Sequence, residues 1–301
     1  MRLAITGGTG FVGSHLIDLA LAAGHQVSAL TRREQGPRDG IDWVCGDLSG
    51  RDALERLVAH VDAVIHVAGT ISATTAAEFE RGNVAGTLAM LAAATAGGVQ
   101  RFVHVSSLAA REPRLSLYGA SKARAEDLVE SSGLEWVIVR PPAVYGPGDK
   151  ETLELFRMAK LGLMLVPPRG RVSVIHAGDL ARLLLALAHP GAPSKCMVEP
   201  DDGKRGGWTH REFARALAAA VGTKAAVISS PGVVLRLAAR ADQFLRGEKA
   251  KLTVDRAAYF SHHDWVAEPK RACPREVWIP QTDTAQGLKE TADWYRLQGW
   301  L

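Results

Sequence analysis

Arg2-Leu-Ala-Ile-Thr6-Gly7-Gly8-Thr9-Gly10-Phe11-Val12-Gly13-Ser14-His15-Leu16 runs an apolar strand into a helix through spaced glycines. Each glycine of such a turn has a separate physical task. Gly7 permits the tight bend, Gly10 lets backbone approach a phosphate with no Cβ in the way, and Gly13 lets the new helix pack on the strand. The amides of Thr9, Gly10, Phe11 and Val12 then face the anion at the positive end of the helix dipole. Two frames fit, Gly7-Gly10-Gly13 and Gly8-Gly10-Gly13, and both predict a dinucleotide pyrophosphate held at this turn.

Outward from that stretch, β-branched runs alternate with Ala/Leu-rich segments. Residues 26–30, 42–45, 63–67, 101–105, 136–139 and 172–175 read as strands; 14–23, 51–59, 78–96, 119–132 and 151–161 read as helices. Such a βαβ series predicts an α/β fold, a Rossmann-type doubly wound parallel sheet with ligands at the carboxyl ends of its strands. Beyond about residue 190 the pattern turns helical (209–221, 231–245, 283–297) with Pro/Gly-rich connections. The expected division is a nucleotide-binding domain over 1–165, with 171–190 returning to it, and a mainly helical substrate lobe over 191–301.

The 301 residues are 47% hydrophobic and 23% charged, enough to bury a sizeable core. The net charge of +4 is dispersed among 32 acidic residues, which argues against nucleic acid as a partner. Three cysteines (Cys45, Cys196, Cys273) with no Cys-x-x-Cys pair predict neither a disulfide framework nor a structural zinc site, and therefore no metal and a reducing cytoplasm. The chain enters its first strand at once, and no apolar run has membrane-span length, so neither a signal peptide nor an integral membrane segment is expected. The expected partners are a small-molecule substrate and, through a paired helix, a second copy in a homodimer.

The second strand ends in Thr31-Arg32-Arg33, where an NAD enzyme would place a carboxylate on the ribose hydroxyls. A guanidinium fork suits a 2′-phosphate, so NADP(H) is favoured over NAD(H), with Glu34 as the counter-evidence. Asp47, after the third strand, is read either as an acceptor for the adenine amino group or as the cap of the following helix.

Val103-His104-Val105-Ser106-Ser107 precedes Tyr118-Gly-Ala-Ser-Lys122. Residues four apart share a helix face, so Tyr118 and Lys122 point together, toward the strand end that carries Ser107. Bringing a phenol from its usual pKa near 10 to neutrality takes about 4 kcal/mol, and an adjacent ammonium supplies part of it. Tyr118 is thereby the candidate acid–base, Lys122 its tuner and Ser107 the hydroxyl that holds the substrate oxygen.

These pieces, with Gly46-Asp47-Leu48, His66-Val67-Ala68-Gly69, Asn83-Val84-Ala85-Gly86-Thr87, Arg140-Pro-Pro-Ala-Val-Tyr-Gly-Pro-Gly148 and Ile175-His176-Ala-Gly-Asp179-Leu180, resemble the short-chain dehydrogenase/reductase superfamily in its extended, epimerase/dehydratase-like branch. The resemblance covers most of the chain. It implies cofactor contacts from Asp47 and Leu48, from Ala68 and Gly69 beside the ribose, from Tyr118 and Lys122, and from Pro141, Ala143 and Val144 at the carboxamide. It also implies a helix-stabilising or proton-relay role for Asn83, which the residue type alone leaves open to a structural reading. Dehydratases of the branch carry an acidic pair after the Ser or Thr; Leu108-Ala109-Ala110 here disfavours dehydration. The interval from Ser107 to Tyr118 is shorter than nucleotide-sugar epimerases generally show. The expected function is hydride transfer to or from a small carbonyl or alcohol substrate. A cofactor-retaining sugar epimerase and an NADPH-binding structural protein, similar to the complex I accessory subunit, are the alternatives.

Other conspicuous residues are expected to serve the fold. His66 and His104 read as satisfied core histidines, His262-His263-Asp264 as a surface or packing cluster, and the tryptophans of the second half as packing. Pro231–Arg240 is apolar enough for a membrane-surface, partner or pocket-covering helix, and too short to span.

Overall fold

The computed structural model describes residues 1–167, 170–229 and 262–301. The predicted 231–245 helix, with its apolar stretch Pro231–Arg240, lies outside them. Chain contacts gather into two units: Met1–Pro141 with Gly178–Pro200 and Pro269–Ile279, and Pro142–Ala177 with Asp201–Glu268 and Pro280–Leu301.

The first unit is built on strands β1 (Arg2–Thr6), β2 (Gln26–Thr31), β3 (Ile41–Cys45), β4 (Ala63–His66), β5 (Arg101–Val105) and β6 (Glu135–Val139), with a further strand at Cys196–Val198. Their spatial order is 196–198, β6, β5, β4, β1, β2, β3, every pair parallel. Helices α1 (Phe11–Ala22), α2 (Arg51–Leu57), α3 (Ala76–Phe79), α4 (Gly86–Ala96) and α5 (Leu117–Glu130) make the crossovers. β4 and β5 are buried at every residue, as strands covered on both faces must be, whereas edge strand β3 buries only Val44. This is the doubly wound α/β fold the sequence predicts. Strand order reverses between β1 and β4, so the crevice at their carboxyl ends is the topological switch point where such sheets bind ligands.

The second unit holds small sheets and helices. Ala143–Tyr145 pairs with Val174–His176, Arg171–Val172 with Trp208–Thr209 and Asp264–Trp265, and Leu163–Val166 with Ala226–Ser229. Helices Leu153–Lys160, His210–Val221 and Thr284–Leu297 pack Phe156, Leu217, Leu288 and Tyr295 into its core. Trp294, Trp300 and Tyr295 meet there ring to ring.

Two expectations move. The strand expected at 172–175 is interrupted at Ser173, and both halves pair within the second unit, so it does not return to the large sheet, whereas 178–190 of the stretch expected to return do belong to the first unit. The seventh place in that sheet goes instead to Cys196–Val198, and the contacts change unit at Pro141/Pro142 rather than near residue 165. Among the described residues, no helix is long and apolar enough to cross a membrane.

Candidate active site

The turn after β1 separates the tasks of its glycines. Gly7 takes φ +72°, in the left-handed region, and a Cβ on it would lie 2.7 Å from the Ala68 amide nitrogen. A Cβ on Gly13 would lie 2.0 Å from the Gly7 carbonyl oxygen, so helix and strand approach only because both residues are bare. At Gly8 the obstacle is the movable end of Ile17, which favours the Gly7-Gly10-Gly13 frame. Gly10 faces open space apart from Gly7, whose carbonyl accepts its N–H at 3.0 Å. Gly10 also caps α1, and the cap provides no side-chain hydrogen bond and no acidic residue in the first turn. A helix start that is open, unopposed by carboxylates and at the switch point fits a pyrophosphate.

The loop after β4 is tied to this turn from beneath. Thr6, His66 and His104 are in register across β1, β4 and β5. The Thr6 hydroxyl meets His66 Nδ1 at 2.7 Å and accepts the Ala68 N–H at 3.2 Å, while His66 Nε2 meets the Thr87 hydroxyl at 3.2 Å. Ala68 and Gly69 are thus fixed beside the glycine turn by a buried Thr–His–Thr chain. His104 corrects the sequence reading: it is fully buried, stacks on His66 at 5.5 Å, and neither ring nitrogen has a hydrogen-bond partner among the described residues.

Ser107 and the Tyr118 helix are joined by contact of their backbones. Ser107 caps the short 3₁₀ turn Leu108–Arg111, its hydroxyl oxygen accepting the Ala109 N–H at 3.2 Å. Pro141 holds the same turn, its carbonyl accepting the Leu108 N–H at 3.1 Å. A Cβ on Gly119 would lie 2.5 Å from the Ala109 carbonyl, so only glycine lets the Ser107 turn sit against the residue following Tyr118. Tyr118 is half-buried against Phe79, ring centres 6.1 Å apart. One turn on, Lys122 is buried and donates from Nζ to the Val105 carbonyl at 2.8 Å, two residues before Ser107.

Asn83 links this helix to the ribose-side loop. It lies in a π-helical turn, Glu80–Ala85, inserted between α3 and α4, the kind of bulge that re-aims a side chain. Its Oδ1 accepts the Thr70 N–H at 2.7 Å, and its Nδ2 donates to the Thr70 carbonyl at 2.9 Å and the Ser121 hydroxyl at 2.8 Å. Ser121 in turn donates to the Tyr118 carbonyl at 2.8 Å. Gly69 completes the contact, for its missing Cβ would lie 3.0 Å from Asn83 Oδ1 and 3.3 Å from Lys122 Nζ.

Burial pushes the Lys122 amine down to about 8, against the opposing pull of the Glu126 carboxylate. The same burial, with the Lys122 charge adding to it, holds His66 down at about 3 and His104 well below its ordinary range, so both rings are neutral at pH 7. Around Glu126 stands a buried ionic cluster that sequence reading missed. Arg140 grips Glu126 through two nitrogens at 2.9 and 2.6 Å and reaches Glu199 at 3.4 Å, and Arg111, on the Ser107 turn, reaches Glu199 at 3.6 Å. The cluster joins α5, the end of β6 and the Ser107 turn, contacts too distant in sequence to show as spacing.

At the far end of the crevice Arg32 and Arg33 are exposed after β2. The Asp47 carboxyl is held below its usual range by the hydroxyl and amide of Ser49, with a smaller pull from Arg32; Thr31 and Cys45, in register on β2 and β3, bring Arg32 and Asp47 to the same strand ends. Asp47 closes its own turn and does not cap α2, whose cap is Gly50; the capping alternative falls away. Leu48 packs on Gly86 at the start of α4. Ala143 and Val144 belong to the second unit, on its strand paired with Val174–His176. The His262 ring lies tilted against those of His263 and Trp265, and among the described residues no group of ligands is arranged to hold a metal.

Comparison with known proteins places the chain in a family. Residues 3–195 match the model of the NAD dependent epimerase/dehydratase family. A ceramide reductase of Caulobacter vibrioides is 39% identical over 99% of this chain and 96% of its own. A ketoreductase of Stigmatella aurantiaca, named for a 3-oxo-4-farnesyl-dihydroquinoline oxide, is 37% identical over 50% of this chain and 52% of its own. Among solved structures, MoeE5 in complex with UDP-glucose and NAD shares the fold at a TM-score of 0.73 and 21% identity, over 99% of each chain. The chain therefore belongs to the NAD dependent epimerase/dehydratase family, within the extended short-chain dehydrogenases/reductases, and is an NAD(P)-dependent oxidoreductase of the reductase kind.

Proposed function

We propose that this protein uses NADPH to reduce a ketone on a long-chain, lipid-like substrate, with Tyr118 as the proton donor. The observation that carries the mechanism is Lys122: a buried ammonium, pinned to Val105 and one helical turn from Tyr118, beside the strand end that carries Ser107. The reduced nicotinamide, when bound, supplies the hydride to the carbonyl carbon. Ser107 uses its oxygen to accept the Ala109 N–H and keeps its own O–H to donate to the substrate oxygen. Tyr118 gives its proton to that oxygen as the alcohol forms, and the Lys122 charge stabilises the phenolate left behind. Asn83 is a positioning residue: both its N–H bonds are committed to Thr70 and Ser121, which holds α5 against the Ala68–Gly69 loop.

Substrate class follows from the two named reductases, one called after ceramide and one after a farnesyl-bearing 3-oxo compound. Cofactor choice follows from Arg32 and Arg33, whose guanidinium forks suit a 2′-phosphate. The test is NADPH oxidation with a panel of 3-oxo compounds of increasing chain length. The reading predicts net turnover that rises with chain length, abolished in Tyr118→Phe while NADPH still binds. Full rate in the Phe variant, or no net turnover with any ketone, overturns it.

A further inference from the structure

The second unit carries an apolar face turned outward. Leu163–Val166 and Ala226–Ser229 pair in parallel, Leu163 beside Ala226 and Leu165 beside Ile228. Alternation along such strands sends Met164 and Val166 into the core and the other row out. Leu163 is 45% exposed, Leu165 47% and Ile228 51%, and Leu161, just before the first strand, is 84% exposed. A soluble sheet ordinarily places polar residues on that row.

The rim is basic. The Thr223 hydroxyl donates to the Ala159 carbonyl at 2.7 Å, and the Ala226 N–H to the Gly162 carbonyl at 2.8 Å, which brings exposed Lys160 and Lys224 to the same end of the face. Neither Lys160–Val166 nor Thr223–Ser229 contains an acidic residue. Leucines and isoleucine with flanking lysines and no carboxylate are the composition that settles at an anionic lipid interface. A second copy of the chain fits less well, since pairing this face with itself gathers four ammonium groups with no carboxylate from its two strand segments, among the described residues, to meet them.

We propose that this face docks the protein peripherally on a negatively charged membrane surface, with Leu161, Leu163, Leu165 and Ile228 entering the headgroup boundary and Lys160 and Lys224 meeting anionic headgroups. In choosing lipid over a second copy, the proposal rests on the long-chain substrate argued above.

The test is flotation of the full chain with vesicles of phosphatidylcholine alone and of phosphatidylcholine with phosphatidylglycerol. The protein is expected to float with the anionic vesicles, more weakly with the neutral ones, and less at high salt. Leu161→Gln/Leu165→Gln/Ile228→Gln should lower recovery on anionic vesicles roughly tenfold or more. Lys160→Glu/Lys224→Glu should do the same on anionic vesicles and leave the neutral ones unchanged. Turnover of a short, water-soluble 3-oxo ester, which needs no membrane, should stay at the wild-type rate in both variants. Loss of that turnover in the wild type counts against the reaction; its persistence without flotation counts against the docking face. Unchanged flotation of both variants overturns the proposal, as does sedimentation showing that the polar variant converts a dimer to a monomer.

Discussion

At the carboxyl ends of β1, β4 and β5 the first unit buries Thr6, His66 and His104, with Lys122 from α5, where a sheet covered on both faces would ordinarily hold apolar side chains. The outer face of the second unit does the reverse, holding Leu163, Leu165 and Ile228 where a soluble sheet holds polar ones. Each reversal costs stability, through desolvation in the first case and exposed hydrocarbon in the second. The proposed chemistry uses one such departure, the buried Lys122, and the proposed docking uses the other, whereas buried His104 has a part in neither.

Lys122→Met keeps the burial and removes the charge. Turnover of NADPH should fall about a thousandfold, with NADPH binding retained. The stability readout has a definite sign. The folded amine titrates near 8 against an ordinary 10.5, so between those values the unfolded chain holds more protons and wild-type stability rises with pH. Whatever the offset at pH 7, melting curves should therefore shift in favour of the wild type relative to the Met variant from pH 8 to 10.5. A difference that is flat with pH would remove the buried charge from the account. Gly13→Ala tests the approach of α1 to β1: its methyl has 2.0 Å where it needs well over 3, so NADPH affinity should drop roughly a hundredfold. Affinity within twofold of wild type, measured by fluorescence titration, would show that the turn does not set the phosphate site.

Smaller effects sharpen the picture. Arg32→Ala should weaken NADPH about tenfold and leave NADH nearly unchanged, read as the ratio of KM values; equal weakening would remove the 2′-phosphate argument. His104→Leu removes two buried ring nitrogens that have no hydrogen-bond partner among the described residues, and should raise stability by about 1 kcal/mol at pH 7. The folded ring titrates well below 6.5, so wild-type stability is lost as pH falls under that value, and the Leu variant's lead should widen there. A variant less stable than wild type across the range would mean the ring packs better than it is hydrogen-bonded.

What was legible in the sequence was local. The strand, glycines and helix of residues 2–22 fall within one short window, and the i, i+4 spacing of Tyr118 and Lys122 places both on one face of α5. Cys196–Val198 escaped because three residues show no period, and its place is set only by pairing with β6. The stretch read as one helix over 78–96 contains the Asn83 bulge, whose side chain is held by Thr70, a residue of the loop after β4. Arg140 and Glu126 lie fourteen residues apart, and Glu199 a further fifty-nine from Arg140, so their meeting is a property of the folded sheet. The expectation of a hydrogen-bonded His104 failed because a register, not a residue type, decides which neighbours a ring meets.

Gly119 holds one more consequence. The approach of the serine turn to the tyrosine helix is set by an atom the protein omits, since a single methyl there would press on the Ala109 carbonyl at 2.5 Å. That bare position works as a spacer gauge. Enlarging it one carbon at a time should push the serine turn away from the tyrosine helix by small steps with both side chains retained, a ruler for how closely the two hydroxyls of the proposed mechanism must stand to act on one molecule.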